Sequence, residues 1–221
     1  MESYLIQRSP SDFRTMAREH LKNKWVQSAI ATLSMSIVSF IPSIILSVMI
    51  IQDQARATYY QYANQIFSIL VSPPLTLGLV TYFIKVSRKQ ETTIPDIFSG
   101  FQHYLASLKL YLYMMFFIVL WSLLLLIPGI IAAFRYALSF YILSDHPEMK
   151  TSEIVNLSKE MMHGNKGKFF VLNLSFIGWV LLAILTCGIG LLFVIPYMQT
   201  AFAGFYEEVK QSYQSSRPAE V

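Results

Sequence analysis

Long apolar runs recur along this chain, and they limit its fold more than any other feature. A helix needs about 20 mostly apolar residues to cross a bilayer. The first such run is Trp25 to Ile51. The second extends from about Tyr62 to Val86 and contains Pro73-Pro74. The third, Leu105 to Ile127, meets Pro128-Gly129, and the fourth, Ile130 to Leu143, is short and carries Arg135. The fifth, Phe169 to Cys187, stops at Gly188 and Gly190, and the sixth runs from Leu191 to about Phe205 through Pro196. Hydrophobic residues make up 54% of the 221 residues and charged residues only 14%, against about 25% charge in soluble domains. One soluble core of this size could not bury that much apolar surface. The expected fold is all-α: a polytopic six-helix transmembrane bundle forming a single integral membrane domain over residues 1–221.

The basic residues predict its orientation. Arg8, Arg14, Arg18, Lys22 and Lys24 precede the first run, and Lys85, Arg88, Lys89 and Lys109 flank the connection between the second and third. Lys150, Lys159, Lys166 and Lys168 lie between the fourth and fifth, and Lys210 and Arg217 follow the sixth. Of the 17 Lys and Arg residues, only Arg56 and Arg135 fall elsewhere. Cytoplasmic loops carry the Lys/Arg excess, so both termini are expected in the cytoplasm. The start, Met1-Glu2-Ser3, stays polar to Lys24 and does not read as a cleavable signal. The net charge of +4 suits an anionic membrane surface, because the basic residues sit between apolar runs; nucleic acid is not an expected partner.

Three units share one plan, at about residues 9–89, 93–145 and 151–208: a polar lead-in helix, a long run, a Pro/Gly break and a second run. Ser9-Pro10-Ser11-Asp12 reads as a helix start, Thr93-Ile94-Pro95-Asp96 repeats it, and Thr151-Ser152-Glu153 lacks the proline. The lead-ins are amphipathic. Phe13, Met16, Ala17, Leu21 and Trp25 share one helical face, with Arg14, Arg18 and Lys22 elsewhere. Such helices are expected to lie in the cytoplasmic interface, apolar side in lipid and cations at anionic headgroups.

Few residues suggest chemistry. Arg135 is a charge inside a span, costly there and a candidate anion or lipid-headgroup site; the alternative is a snorkelling or capping residue. Counted from the Pro128-Gly129 break it sits near the outer face, with Asp53 as a candidate partner. Pro73 and Pro74 are expected to break or kink the second span, with Ser72, Thr76 and Asn64 lining a cavity at the break. No catalytic set, metal set or cofactor is expected. His20, His103, His146 and His163 show no ligand spacing, and Gly164-Asn165-Lys166-Gly167-Lys168 lacks that of a phosphate loop. The single cysteine, Cys187, reads as a buried thiol.

The segments Pro74-Leu75-Thr76-Leu77-Gly78, Asp96-Ile97-Phe98-Ser99-Gly100-Phe101, Ile127-Pro128-Gly129-Ile130, Tyr141-Ile142-Leu143 with Asp145 and Pro147, and Ser175-Phe176-Ile177-Gly178-Trp179 occur in that order. Together they resemble the uncharacterised bacterial membrane proteins called domain of unknown function 975, from about Arg14 to Tyr206. These look distantly similar to the membrane domain of some glycerophosphodiester phosphodiesterases, whose soluble part has no counterpart in these 221 residues. The resemblance implies a multi-pass protein of a bacterial, Gram-positive cytoplasmic membrane and implies no activity.

The residues therefore favour a non-enzymatic scaffold or a helper in a lipid- or envelope-related system. The alternative is a small transporter, flippase-like protein or channel. An intramembrane enzyme lacks an acid/base or metal constellation. Expected partners are membrane lipids, chiefly anionic, and either a second copy of the chain or another membrane protein.

Overall fold

The computed structural model describes residues 5–216; Met1-Glu2-Ser3 and Arg217 lie outside them. The described chain is all-helical. In order it forms α1 (Pro10–His20), α2 (Trp25–Gln52), a 3-10 turn (Gln54–Arg56), α3 (Ala57–Ser87), a 3-10 helix (Ile94–His103), α4 (Tyr104–Leu124), α5 (Leu126–Arg135), α6 (Ser139–Asp145), α7 (Thr151–Met161), α8 (Lys166–Leu185) and α9 (Leu191–Ser215). Five stretches are long and apolar enough to cross a membrane: Trp25–Gln52, Gln54–Ser87, Ile94–Leu124, Leu126–Asp145 and Lys166–Leu185. α9 opens with the apolar run Leu191–Phe205 and then turns polar at Glu207-Glu208.

The helices pair as hairpins, α2 with α3, α4 with α5, and α8 with α9. Burial is uneven along them. α2 buries Ser28, Ala29, Ala31 and Thr32 near its start, and its most apolar stretch buries nothing inside the protein. α3 buries residues only from Pro73 to its end. The packed core therefore lies at the hairpin bases, where Phe13, Tyr82, Phe83, Phe176, Phe205 and Tyr206 are almost fully enclosed. An aromatic seam joins α1, α8 and α9: Phe205 lies 5.5 Å from Phe13 and 4.9 Å from Phe169, ring to ring. Towards the turns, Ile44, Tyr62, Leu123, Leu126, Leu182 and Leu185 point outward.

Each lead-in begins with a carboxylate accepting the backbone N–H three residues back. Ser9 donates to Asp12 (2.8 Å), Thr93 to Asp96 (2.7 Å) and Lys150 to Glu153 (3.4 Å). This satisfies one unpaired donor at each helix start. The third start lies at Lys150, one residue before the expected Thr151, and a lysine has no oxygen to complete the reciprocal bond.

Several expectations need correction. α1 does not lay its apolar face in lipid. Phe13, Ala17 and Leu21 are buried against α9, α8 and α3, because protein aromatics fill the space assigned to acyl chains. The second lead-in is a 3-10 helix, whose threefold period puts Ile94, Ile97 and Gly100 on one face. That face seats on α3, and Ile97 and Gly100 are buried there. The turn between α4 and α5 falls at Leu125, which is extended (φ −162°, ψ 146°), rather than at Pro128-Gly129. A first-turn proline gives up no helical bond, and Gly129 packs on Ser122, which a Cβ would meet at 2.0 Å. Finally, Cys187 is exposed in the turn after α8, at positive φ beside Gly188 (53° and 84°).

Pro73-Pro74 does not break its helix: α3 is continuous from Ala57 to Ser87. The two prolines remove N–H donors that would bond the carbonyls of Ile69 and Leu70. The helix holds because the 3-10 lead-in buttresses it just beyond. A Cβ on Gly100 would stand 2.0 Å from the Pro74 carbonyl oxygen, and one on Gly78 would stand 1.7 Å from that of Ile97. Backbone thus meets backbone. Two of the segments quoted above, Pro74–Gly78 and Asp96–Phe101, are the two sides of this contact.

Candidate functional site

The densest polar arrangement lies on the basic side, where α3 and α6 end beside the second half of α9. Asp145, the last residue of α6, is nearly buried, with its side chain 9% exposed. One of its oxygens, Oδ2, accepts from Arg88 Nη2 (2.7 Å), Lys210 Nζ (2.6 Å) and Tyr206 Oη (2.9 Å). Arg88 follows α3 and also donates through Nε to Glu207 (2.9 Å). Tyr206 and Lys210, four residues apart, share one face of α9, and the Tyr141 and Tyr206 rings stack 5.3 Å apart. The two cations and two carboxylates balance. Burial opposes the charge on Arg88, but the bonds and charges of Asp145 and Glu207 outweigh it and raise its pKa. The arrangement is a clasp that ties the ends of α3 and α6 to α9.

Beside it opens a cleft of about 410 Å³, lined by Arg8, Met16, His20, Arg88, Glu207 and Glu208 among others. Gly204 admits Met16 of α1, whose methyl a Cβ there would meet at 1.8 Å. Arg8 Nε stands 3.2 Å from Glu208 Oε2 without the alignment of a hydrogen bond, so this contact is electrostatic. The Arg8 backbone N–H donates to the other oxygen of Glu208. Among the described residues, His20 Nδ1 is buried without a partner, and burial, with Lys89 nearby, lowers the His20 pKa below its ordinary 6.5. Such a cleft can admit a polar group. Among the described residues, no three His, Cys, Asp or Glu side chains gather as metal ligands.

The residues singled out in the sequence are dispersed. Pro73 and Pro74 are buried and Ser72 is exposed. Asn64 lies nine residues before Pro73, about 13.5 Å along the helix, and accepts a hydrogen bond from Ser43 of α2 at 3.0 Å. Asn64 thus stands apart from Ser72, Pro73 and Pro74 along α3. Arg18 and Lys22 are exposed, and Arg18 reaches Thr15 at 3.5 Å. Arg14 instead turns inward and donates to the Ser175 carbonyl, midway along α8, at 3.4 Å. That follows from α1 packing on α8 and α9 rather than on lipid. Arg135 is exposed and closes α5, and its carbonyl accepts from Ser158 of α7 at 2.8 Å. It therefore stands beside a lead-in. Asp53 pairs with Arg56 (3.4 Å) at the far turn instead of with Arg135.

The clasp was not anticipated, although its parts were visible. Asp145 ends an apolar run, Arg88 ends another, and Tyr206 and Lys210 have helical spacing. What the sequence does not disclose is that the ends of α3 and α6 meet on α9. No curated protein and no solved structure matches the chain. The family model described as "Protein of unknown function (DUF975)" matches residues 5–133 and again 123–213. With nearly all of its described length covered, the chain belongs to this family.

Proposed function

We infer that the protein is a six-crossing scaffold or helper of a bacterial cytoplasmic membrane, non-enzymatic, with both termini in the cytoplasm. Six crossings follow if the apolar half of α9 returns through the membrane after the short turn at Thr186–Gly190. The even number then places all the basic lead-ins on one side, as the positive-inside rule requires. The three units at about 9–89, 93–145 and 151–208 are read as repeats of lead-in plus hairpin. Anionic lipid, and either a second copy or another membrane protein, are the partners proposed for its surface.

One observation carries the reading. The paired charges Arg8–Glu208, Lys85–Asp96, Arg88–Asp145, Arg88–Glu207 and Lys210–Asp145 hold the hairpin bases together, while the hairpins beyond present apolar side chains outward. Such a body fixes helices in lipid and offers their faces to neighbours. The alternative, a small transporter or flippase-like protein, is favoured by Arg14, which brings a cation to the middle of α8. Purified protein in liposomes separates the two. A scaffold leaves ion flux and lipid scrambling at the rate of protein-free vesicles. Flux above that rate, abolished by Arg14→Gln, would establish the transport reading.

A further inference from the structure

Between the second and third hairpins the structure gathers three cations that lie far apart in sequence. Arg135 ends α5 with its side chain exposed. The preceding Phe134 packs on Phe169 and Phe170 of α8, at 6.0 and 5.8 Å between ring centroids. Arg135 thus stands at the level of the first turn of α8. Lys166, the first residue of α8, is close enough for the two charges to repel. Lys159 of α7 lies over the Tyr136 ring, its Nζ 5.7 Å from the centroid, and donates to the neutral Asn156 (3.1 Å).

Arg8, Lys85, Arg88 and Lys210 each face a carboxylate. Among the described residues, Arg135, Lys159 and Lys166 form no ion pair. Next to them, Ile130, Ile131, Phe170, Val171 and Leu174 are exposed apolar side chains of α5 and α8. Neighbouring cations with no ion pair among the described residues, at the edge of an apolar face, match an amphiphile with an anionic head.

We propose that Arg135, Lys159 and Lys166 bind the phosphate of an anionic phospholipid, whose acyl chains lie on the exposed side chains of α5 and α8. The guanidinium fork suits two phosphate oxygens, and the lysines add point charges. The N-terminal dipole and free N–H groups of the 20-residue α8 add to the same field. The site rests on the lipid-associated reading above and names the lipid class.

The test uses the full chain, exchanged into bilayer discs of phosphatidylglycerol and phosphatidylcholine, with retained lipid counted by native mass spectrometry. Arg135→Gln and Lys166→Gln should each lower phosphatidylglycerol retention about fivefold, the effect of about one cation at a membrane surface. Arg135→Lys, which keeps the charge should folding need it, should also lose retention because lysine lacks the planar fork. Arg56→Gln, exposed at the far turn and away from the cluster, should retain lipid like the parent. Inorganic phosphate in the buffer should not displace the lipid. Parent-level retention in Arg135→Gln and Lys166→Gln, an equal loss in Arg56→Gln, or displacement by inorganic phosphate would each overturn the proposal. A failed scaffold reading appears separately, as flux in the liposome assay.

Discussion

Asp145 places three donors on one carboxylate oxygen. Without its charge, Arg88 and Lys210 would share a half-buried space with Glu207 as the cluster's remaining carboxylate. Removing one partner of a buried ion pair leaves an uncompensated charge and costs about 3–5 kcal/mol. Asp145→Asn is therefore expected to lose about 3 kcal/mol in reversible unfolding in detergent. Asp53→Asn, whose partner Arg56 is exposed, should change stability by less than about 1 kcal/mol. His20 supplies a pH dependence. Its folded pKa lies below 6.5, chiefly through burial, with Lys89 and Arg8 adding repulsion and Glu19 opposing it. As pH falls through 6.5, the unfolded chain takes up a proton that the folded chain resists, so stability falls. His20→Gln should lose less stability than the parent between about pH 7 and pH 5; equal slopes would remove His20 from the account. Neither residue could be assigned from sequence. The partners of Asp145 lie 57 to 65 positions away in the chain.

The elements differ in how plainly their sequences announce them. The apolar runs and the Gly188 turn are legible because length, hydropathy and glycine act locally. The behaviour of Pro73-Pro74 is not, because a helix that loses two bonds is held by another element. The same contact explains why Gly78 and Gly100 face each other, and it gives a sharp prediction. Gly100→Ala drives a Cβ against the Pro74 carbonyl and the Gly78 amide, which are backbone and cannot step aside. A loss of about 3 kcal/mol or more is expected. Gly178→Ala, in the interior of α8 with open space around it, should instead stabilise by about 0.5–1 kcal/mol. Thermal unfolding of the two variants checks both signs. The lead-in starts were readable from Ser9, Thr93 and their acids. That α1 gives its apolar face to protein was not, since an amphipathic stripe does not say whether it meets lipid or Phe205.

For the whole molecule, a core at the hairpin bases and apolar hairpins beyond it accord with a body anchored at one membrane face. The candidate lipid site was half legible: Arg135 stood out as a charge within an apolar run, but Lys159 and Lys166 join it only through folding. In the orientation proposed above, the lead-in side faces the cytoplasm and the turn at Gln54 faces out. Single cysteines in a Cys187→Ser background test it directly. Gln54, Gln90, Glu153 and Ser215 are all exposed on the protein, so labelling reports the side of the membrane rather than burial. In intact cells an impermeant thiol reagent should label Gln54→Cys, and should label Gln90→Cys, Glu153→Cys and Ser215→Cys only after permeabilisation. Labelling of Gln90→Cys or Glu153→Cys from outside would contradict the account.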